Sequence, residues 1–204
     1  HSYRGQSTFH EGEVLTDYWA SSSVGDGSAM KENLAGIEDY TRIGSLLQPE
    51  QIVKYGELTL RENQIAYAEP SFFRLFDFEL LKGDKKTCLS MPGQVVITER
   101  IASKYFKDED PIGKIFIFTG AYDKISCEVT GVMKEMPSNS HIHYSFLISY
   151  KSLPKYMQEY WYKYEAYTYV LLDSPERKAE IEREFPVMAE KYKTDEALKN
   201  KTWG

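Results

Sequence analysis

Val95-Val96-Ile97-Thr98-Glu99-Arg100-Ile101-Ala102-Ser103-Lys104-Tyr105-Phe106 changes its hydrophobic period part-way along. Val95, Val96 and Ile97 form a β-branched apolar run, the mark of a strand buried on both faces. Thr98 is a natural N-cap, and beyond it Ile101, Ala102 and Tyr105 fall on one face of a helix. Downstream, Asp110-Pro111-Ile112-Gly113 has proline second and glycine fourth, the preferences of a type I turn. A strand over 114–118 follows, then a loop over 119–124. A long strand over 125–133 comes next, and Gly131 inside it marks a bulge or a close backbone approach.

Upstream, residues 55–60 and 64–68 alternate around Arg61-Glu62-Asn63 and predict a hairpin turning there. Pro70 suits a first helical turn, after which Phe72, Phe73 and Phe76 crowd one side and read as core. Nearer the start, a strand lies within 11–20 and a Ser/Gly loop covers 21–27. A helix over 29–35 is expected from an N-cap at Ser28, with Met30, Leu34 and Ile37 in phase and Gly36 ending it. A strand over 39–43 completes a β-α-β opening. The C-terminal part reads as a strand over 144–149, a short helix over 153–160, a strand over 166–172 and a long helix from Ser174-Pro175. That helix carries Ile181, Phe185, Met188 and Tyr192 on one face. Pro186 is expected to kink or split it, and the charged tail from Lys193 to fray. No repeat is visible, and strands and helices mix without strict alternation, which makes the fold α+β.

With 204 residues, 42% of them hydrophobic and 14% aromatic, the chain can fill a real core. The 31 acidic residues against 25 basic ones give a net charge of −6, the opposite of the basic footprint that phosphate neutralisation needs, so nucleic acid is excluded as a partner. No apolar run approaches the roughly 20 residues of a membrane-spanning helix. Cys88 and Cys127 allow one bridge at most. Cys127 is in phase with Ile125 and Val129 and suits a small buried hydrophobe, while its pairing with Cys88 stays open.

No residue pattern marks catalytic, cofactor or metal residues. Val24-Gly25-Asp26-Gly27-Ser28 lacks the lysine and the third glycine of a phosphate loop. Ser28-Ala29-Met30-Lys31 has the Ser-x-x-Lys spacing of penicillin-recognising enzymes without their supporting elements, so helix capping accounts for Ser28 better. His141 and His143 would share one side of a strand, a pair too small to hold a metal without further ligands, and His10 has no evident partner. Acidic groups such as Glu11/Glu13 and Asp108/Glu109/Asp110 read as solvated. The one candidate contact surface is aromatic: Tyr156, Tyr160, Trp161, Tyr162 and Tyr164 could meet a partner, or serve a free-standing secreted module that binds glycan or peptide.

Several pieces in order resemble the MacB-like periplasmic core domain of ABC-transporter permeases. They are Ser71-Phe72-Phe73 with Phe76, Phe78, Gly83 and Asp84; Val95 to Glu99 with Tyr105 and Phe106; Asp110-Pro111-Ile112-Gly113; Val129-Thr130-Gly131; Met136-Pro137-Ser138-Asn139-Ser140-His141; and Thr168-Tyr169-Val170. The resemblance implies two subdomains. One is a porter-like β-α-β half built from both chain ends, over 1–46 and 128–204; the other is an inserted mixed α/β unit over 47–127. The residues it carries over are structural: aromatic packing at Phe72, Phe73, Phe76 and Phe78, turns at Gly83, Pro111 and Gly113, and capping at Thr98. Lys107 departs from it, standing where the family has glycine. The implied role is mechanical and non-enzymatic, carrying ATP-driven movement to an envelope substrate, a periplasmic adaptor or a lipoprotein. ATP would bind a separate cytoplasmic ATPase, and flanking helices would hold the domain to the inner membrane, facing the periplasm.

Overall fold

The computed structural model describes residues 3–8, 14–19, 22–23, 26–44, 50–120, 124–158 and 164–201, with side chains described from residue 26 onward except 156, 164–165, 189 and 193–201. Strands β1 (Tyr3–Thr8) and β2 (Val14–Trp19) pair antiparallel as a separate ribbon. After β3 (Ser22–Ser23) come helix α1 (Asp26–Asn33), β4 (Ile37–Gly44), β5 (Glu50–Tyr55), β6 (Leu58–Asn63) and β7 (Ile65–Ala68). Then follow α2 (Phe72–Leu75), β8 (Leu80–Lys82), β9 (Gln94–Thr98), α3 (Glu99–Phe106), β10 (Ile115–Thr119) and β11 (Lys124–Met133). The chain ends in β12 (Phe146–Ser149), α4 (Lys155–Gln158), β13 (Tyr164–Leu172) and α5 (Arg177–Lys201).

The remaining strands form one 11-stranded mixed sheet, ordered β3-β13-β4-β7-β12-β9-β11-β10-β5-β6 with β8 added against β11. Two pairs, β7 with β12 and β9 with β11, are parallel. β6 ends the strand order, yet the chain passes from it into central β7 through a single residue, Gln64, at φ 58°. The stretch from β7 round to β6 therefore curls back on itself like a barrel. Ser145 and Phe146 both donate their backbone N–H to the Gln64 carbonyl, at 2.7 and 3.2 Å, which ties this corner to the start of β12.

Period two distributes the core. On β7, β9 and β12, Ile65, Tyr67, Val95, Ile97, Phe146 and Ile148 face inward with Phe116, Phe118 and Val129. α3 adds Ile101, Tyr105 and Phe106 to that interior. The alternate residues Ala66, Ala68, Val96 and Leu147 face the other way, onto α2. Both faces of these strands are covered, which is why they read as unbroken apolar runs. The inner aromatics meet edge to face, Tyr105 with Phe116 at 4.9 Å and Phe118 with Phe146 at 5.5 Å between centroids. On the outer face Phe72 and Phe78 stack at 5.4 Å, and Phe72 is fully buried, worth about 2–3 kcal/mol of apolar transfer. A third cluster packs α1 and α5 through Ala29, Leu34, Ile181 and Met188.

Several expectations hold: the strand-to-cap passage at Thr98, whose hydroxyl accepts from the Ile101 N–H at 3.4 Å, the long strand irregular at Gly131, and the β-α-β opening. Others need correction. The hairpin turns at Gly56-Glu57, with Tyr55 opposite Leu58 and a glycine at φ +55° in the first turn position. Arg61, Glu62 and Asn63 are therefore strand residues of β6, and β6 pairs β5 rather than β7. Helix α1 begins at Asp26, so Ser28 lies inside it and does not cap it. The turn before β10 closes through the Lys114 N–H to the Pro111 carbonyl at 3.1 Å. This puts Gly113 third at φ +81°, a type II requirement rather than type I. α5 runs unbroken through Pro186, and its charged tail is helical to Lys201. Both cysteines are free, buried in different clusters.

Candidate functional site

A cavity of about 630 Å³ opens where α2 leans over β4 and the turn after β8 closes the third side. β4 supplies Asp39 and Tyr40, the segment entering α2 supplies Glu69, Pro70 and Ser71, and α2 itself supplies Phe73 and Arg74. Lys85 and Lys86 form the far rim. Ser71 Oγ donates to the Tyr40 carbonyl at 2.6 Å and fixes α2 on the strand. Asp84 fixes the rim, its Oδ1 accepting from the Lys86 N–H at 2.8 Å.

Both carboxylates of the cavity are occupied from within. Asp39, with a side chain only 6% exposed, takes Lys31 Nζ at 3.0 Å and pairs Arg74 as well. Glu69 receives both Nε, at 2.8 Å, and Nη2 of Arg42. Arg42 in turn sits over the Tyr150 ring at 4.3 Å and donates Nη1 to the Gln158 carbonyl at 2.7 Å. Burial works against the Arg42 charge, but Glu69, with Tyr150 and Tyr40 behind it, more than offsets this and holds its pKa above the ordinary value. Burial likewise raises the Tyr40 phenol, with Arg42 opposing.

A second hollow of about 300 Å³ lies beside β13, lined by Ile43, His141, Ile142, Tyr144, Tyr167 and Tyr169. His141 Nε2 meets the Tyr169 hydroxyl at 2.8 Å, while His143 is exposed, and no cluster of three metal-ligating side chains occurs among the described residues. On β6, buried Glu62 accepts from Lys104 Nζ at 2.6 Å and from the Tyr105 hydroxyl at 2.8 Å. Tyr105 is pushed upward first by burial and then by Glu62. Burial pushes both thiols up to about 12, which leaves them poor nucleophiles.

The residues named from sequence are spread through the fold. Phe72, Phe73, Phe76 and Phe78 pack together outside β9 and β12. Gly83 crosses β11 with φ +96°, Pro111 and Gly113 shape the turn into β10, and Gly131 sits at the register shift of β11 against β9. Asp110 Oδ1 accepts from the Ile112 N–H at 3.2 Å, and the Ser140 N–H donates to the Pro137 carbonyl at 2.9 Å. Of the aromatic contact set, Tyr160, Trp161 and Tyr162 lie outside the described residues, as do the side chains of Tyr156 and Tyr164. Sequence reasoning missed Asp39, Arg42, Glu69, Arg74, Lys85 and Lys86. The one local signal was Arg42 itself, a charge inside a strand whose neighbours are mostly buried.

The MacB-like periplasmic core domain family matches residues 2–186. The chain belongs to that family. Three solved structures share the fold. A domain attributed to a permease protein from Porphyromonas gingivalis superposes with a TM-score of 0.70 at 23% identity, over 89% of this chain and 78% of that one. The periplasmic region of MacB from Actinobacillus actinomycetemcomitans gives 0.59 at 16%, over 80% and 71%. The extracellular domain of the noncanonic ABC-type transporter YknZ from Gram-positive bacteria gives 0.56 at 17%, over 79% of each. No curated protein matches the chain. The chain is thus a MacB-like periplasmic core domain, and these structural neighbours come from a permease protein, from MacB and from an ABC-type transporter. Among the described residues no helix is long and apolar enough to cross a membrane.

Proposed function

We propose that this domain is a non-catalytic transmitter, held at the inner membrane, that carries ATP-driven rearrangement of its permease to a periplasmic adaptor, lipoprotein or other envelope substrate. The observation that carries this reading is the single sheet whose strands β7, β9 and β12 are packed on both faces. Force entering such an element is passed on rather than absorbed, because close-packed interiors deform little. The side chains with raised pKa values near these cores support the non-catalytic part: Tyr105 is engaged by Glu62, and Cys88 and Cys127 are sealed in apolar clusters.

The test uses the complete permease with its ATPase in lipid nanodiscs. Spin labels at Glu57 and Lys86, both exposed, report distance within the domain, and a third label at a membrane helix end reports movement of the domain as a whole. The intradomain distance is expected to stay fixed between ATP-bound and nucleotide-free states while the distance to the membrane label changes. A changing intradomain distance with a fixed membrane distance refutes transmission by a rigid body. Substrate turnover by the domain alone refutes the non-catalytic reading.

A further inference from the structure

We propose that the cavity between α2, β4 and the turn after β8 binds a small amphipathic anion, a phosphate or carboxylate head on an alkyl or aromatic body. This goes beyond the transmitter role and does not rest on it. At about 630 Å³ the cavity has the size of a ligand site, and its wall is mostly apolar, from Tyr40, Pro70 and Phe73. The sign of the ligand follows from which charges are already satisfied. Asp39 is buried and Glu69 largely so, and each is held by cations of the protein, Lys31 and Arg74 on one and Arg42 on the other. A cationic ligand would have to displace those partners.

The rim is different. Among the described residues Lys85 pairs only with Asp77, at 3.3 Å, and that carboxylate is fully exposed, so water screens the pair. Lys86 is exposed and its ammonium has no ion pair among the described residues. Arg74, though paired to Asp39, leaves 64% of its side chain accessible. Three cations with exposed or weakly paired charges thus line an apolar cavity in a chain whose net charge is −6, a lining that suits an acidic head beside them and an apolar body against the rest of the wall.

The experiment titrates the 204-residue chain with dodecyl phosphate below its micellar concentration, and in parallel with dodecyl maltoside, dodecyltrimethylammonium and inorganic phosphate, read by calorimetry and by amide chemical shifts. Dodecyl phosphate is expected to bind at one site about tenfold or more tighter than each of the other three, with shifts centred on residues 70–74 and 85–86. Lys85→Glu/Lys86→Glu, which alters only rim positions, is expected to weaken it about tenfold with an unchanged melting midpoint. Phosphatidylglycerol vesicles, against phosphatidylcholine vesicles, separate the two sources: sedimentation with the anionic vesicles identifies a membrane lipid head, and binding of the free amphiphile alone identifies a soluble ligand. Equal affinity for the neutral or cationic amphiphile, inorganic phosphate binding as tightly as its dodecyl ester, or indifference to the double reversal overturns the proposal.

Discussion

Gly83 and Gly113 share a backbone requirement and differ in their surroundings, so alanine at each separates conformational strain from steric clash. Gly83 has φ +96° and Gly113 φ +81°, both in the left-handed region. Adding a Cβ there costs about 1–2 kcal/mol, partly offset by about 0.4–1 kcal/mol from the less flexible unfolded chain. At Gly113 nothing lies within 4 Å of the added carbon, so Gly113→Ala is expected to cost about 1 kcal/mol and no more. At Gly83 the carbon would stand 2.4 Å from the Thr130 carbonyl oxygen and 3.0 Å from Gly131 Cα. Both contacts are backbone of β11 and cannot rotate away, so β8 must lift off β11 or the ladder must distort. That adds a cost on the order of 2 kcal/mol, giving about 3 kcal/mol for Gly83→Ala. Urea unfolding monitored by circular dichroism measures both, provided the m-values match the parent. The corresponding melting midpoints fall by about 10 °C and about 3 °C. Equal losses within about 0.5 kcal/mol, or a larger loss at Gly113, would refute the placement of Gly83 against β11.

Lys107 caps α3 at φ 55° and ψ −111°, a conformation glycine adopts freely, so Lys107→Gly is expected to raise stability by up to about 1 kcal/mol in the same urea assay. Glu69→Gln leaves Arg42 buried without its counter-charge and is expected to cost about 3 kcal/mol, while Arg42→Met/Glu69→Leu recovers most of that; a loss under about 1 kcal/mol for the single change would mean the pair is solvated. The thiols give a pH dependence. Their folded pKa values of about 12 exceed the ordinary 9.0, so above pH 9 the unfolded chain loses protons that the native state keeps. Stability should therefore fall by about 1.4 kcal/mol per pH unit per thiol between roughly 9 and 12, and the slope of stability against pH should be shallower in Cys88→Ala/Cys127→Ala. Identical slopes would place the thiols in water.

What the sequence made legible was local. Thr98 between a β-branched run and an amphipathic turn identifies both elements, because capping and period act within a few residues. The hairpin went astray by phase: residues 55–60 alternate whichever end carries the turn, and Gly56 settles it only through its positive φ. Glu62 belongs in a strand because Lys104 and Tyr105 reach its carboxylate from α3, partners 42 and 43 positions away that no period reveals. The cavity is hidden for the same reason. Asp39, Glu69 and Lys86 lie on separate elements, and each alone reads as an ordinary surface charge.

The double-faced strands bear on how the domain could pass on a displacement. Ile97 packs inward beside Phe146, while its neighbour Val96 packs outward with Leu147 and Phe72. A shift of β9 large enough to relieve one core must open a void in the other, at a cost of about 1 kcal/mol or more for each methyl-sized gap. The corner at Gln64 adds a covalent constraint, since β6 and β7 cannot slide independently when one residue joins them. Motion of the domain as a body costs none of these contacts. The easier path for an applied force is therefore rotation of the whole sheet, with the loops at its margin, including the rim at Lys85 and Lys86, carried along.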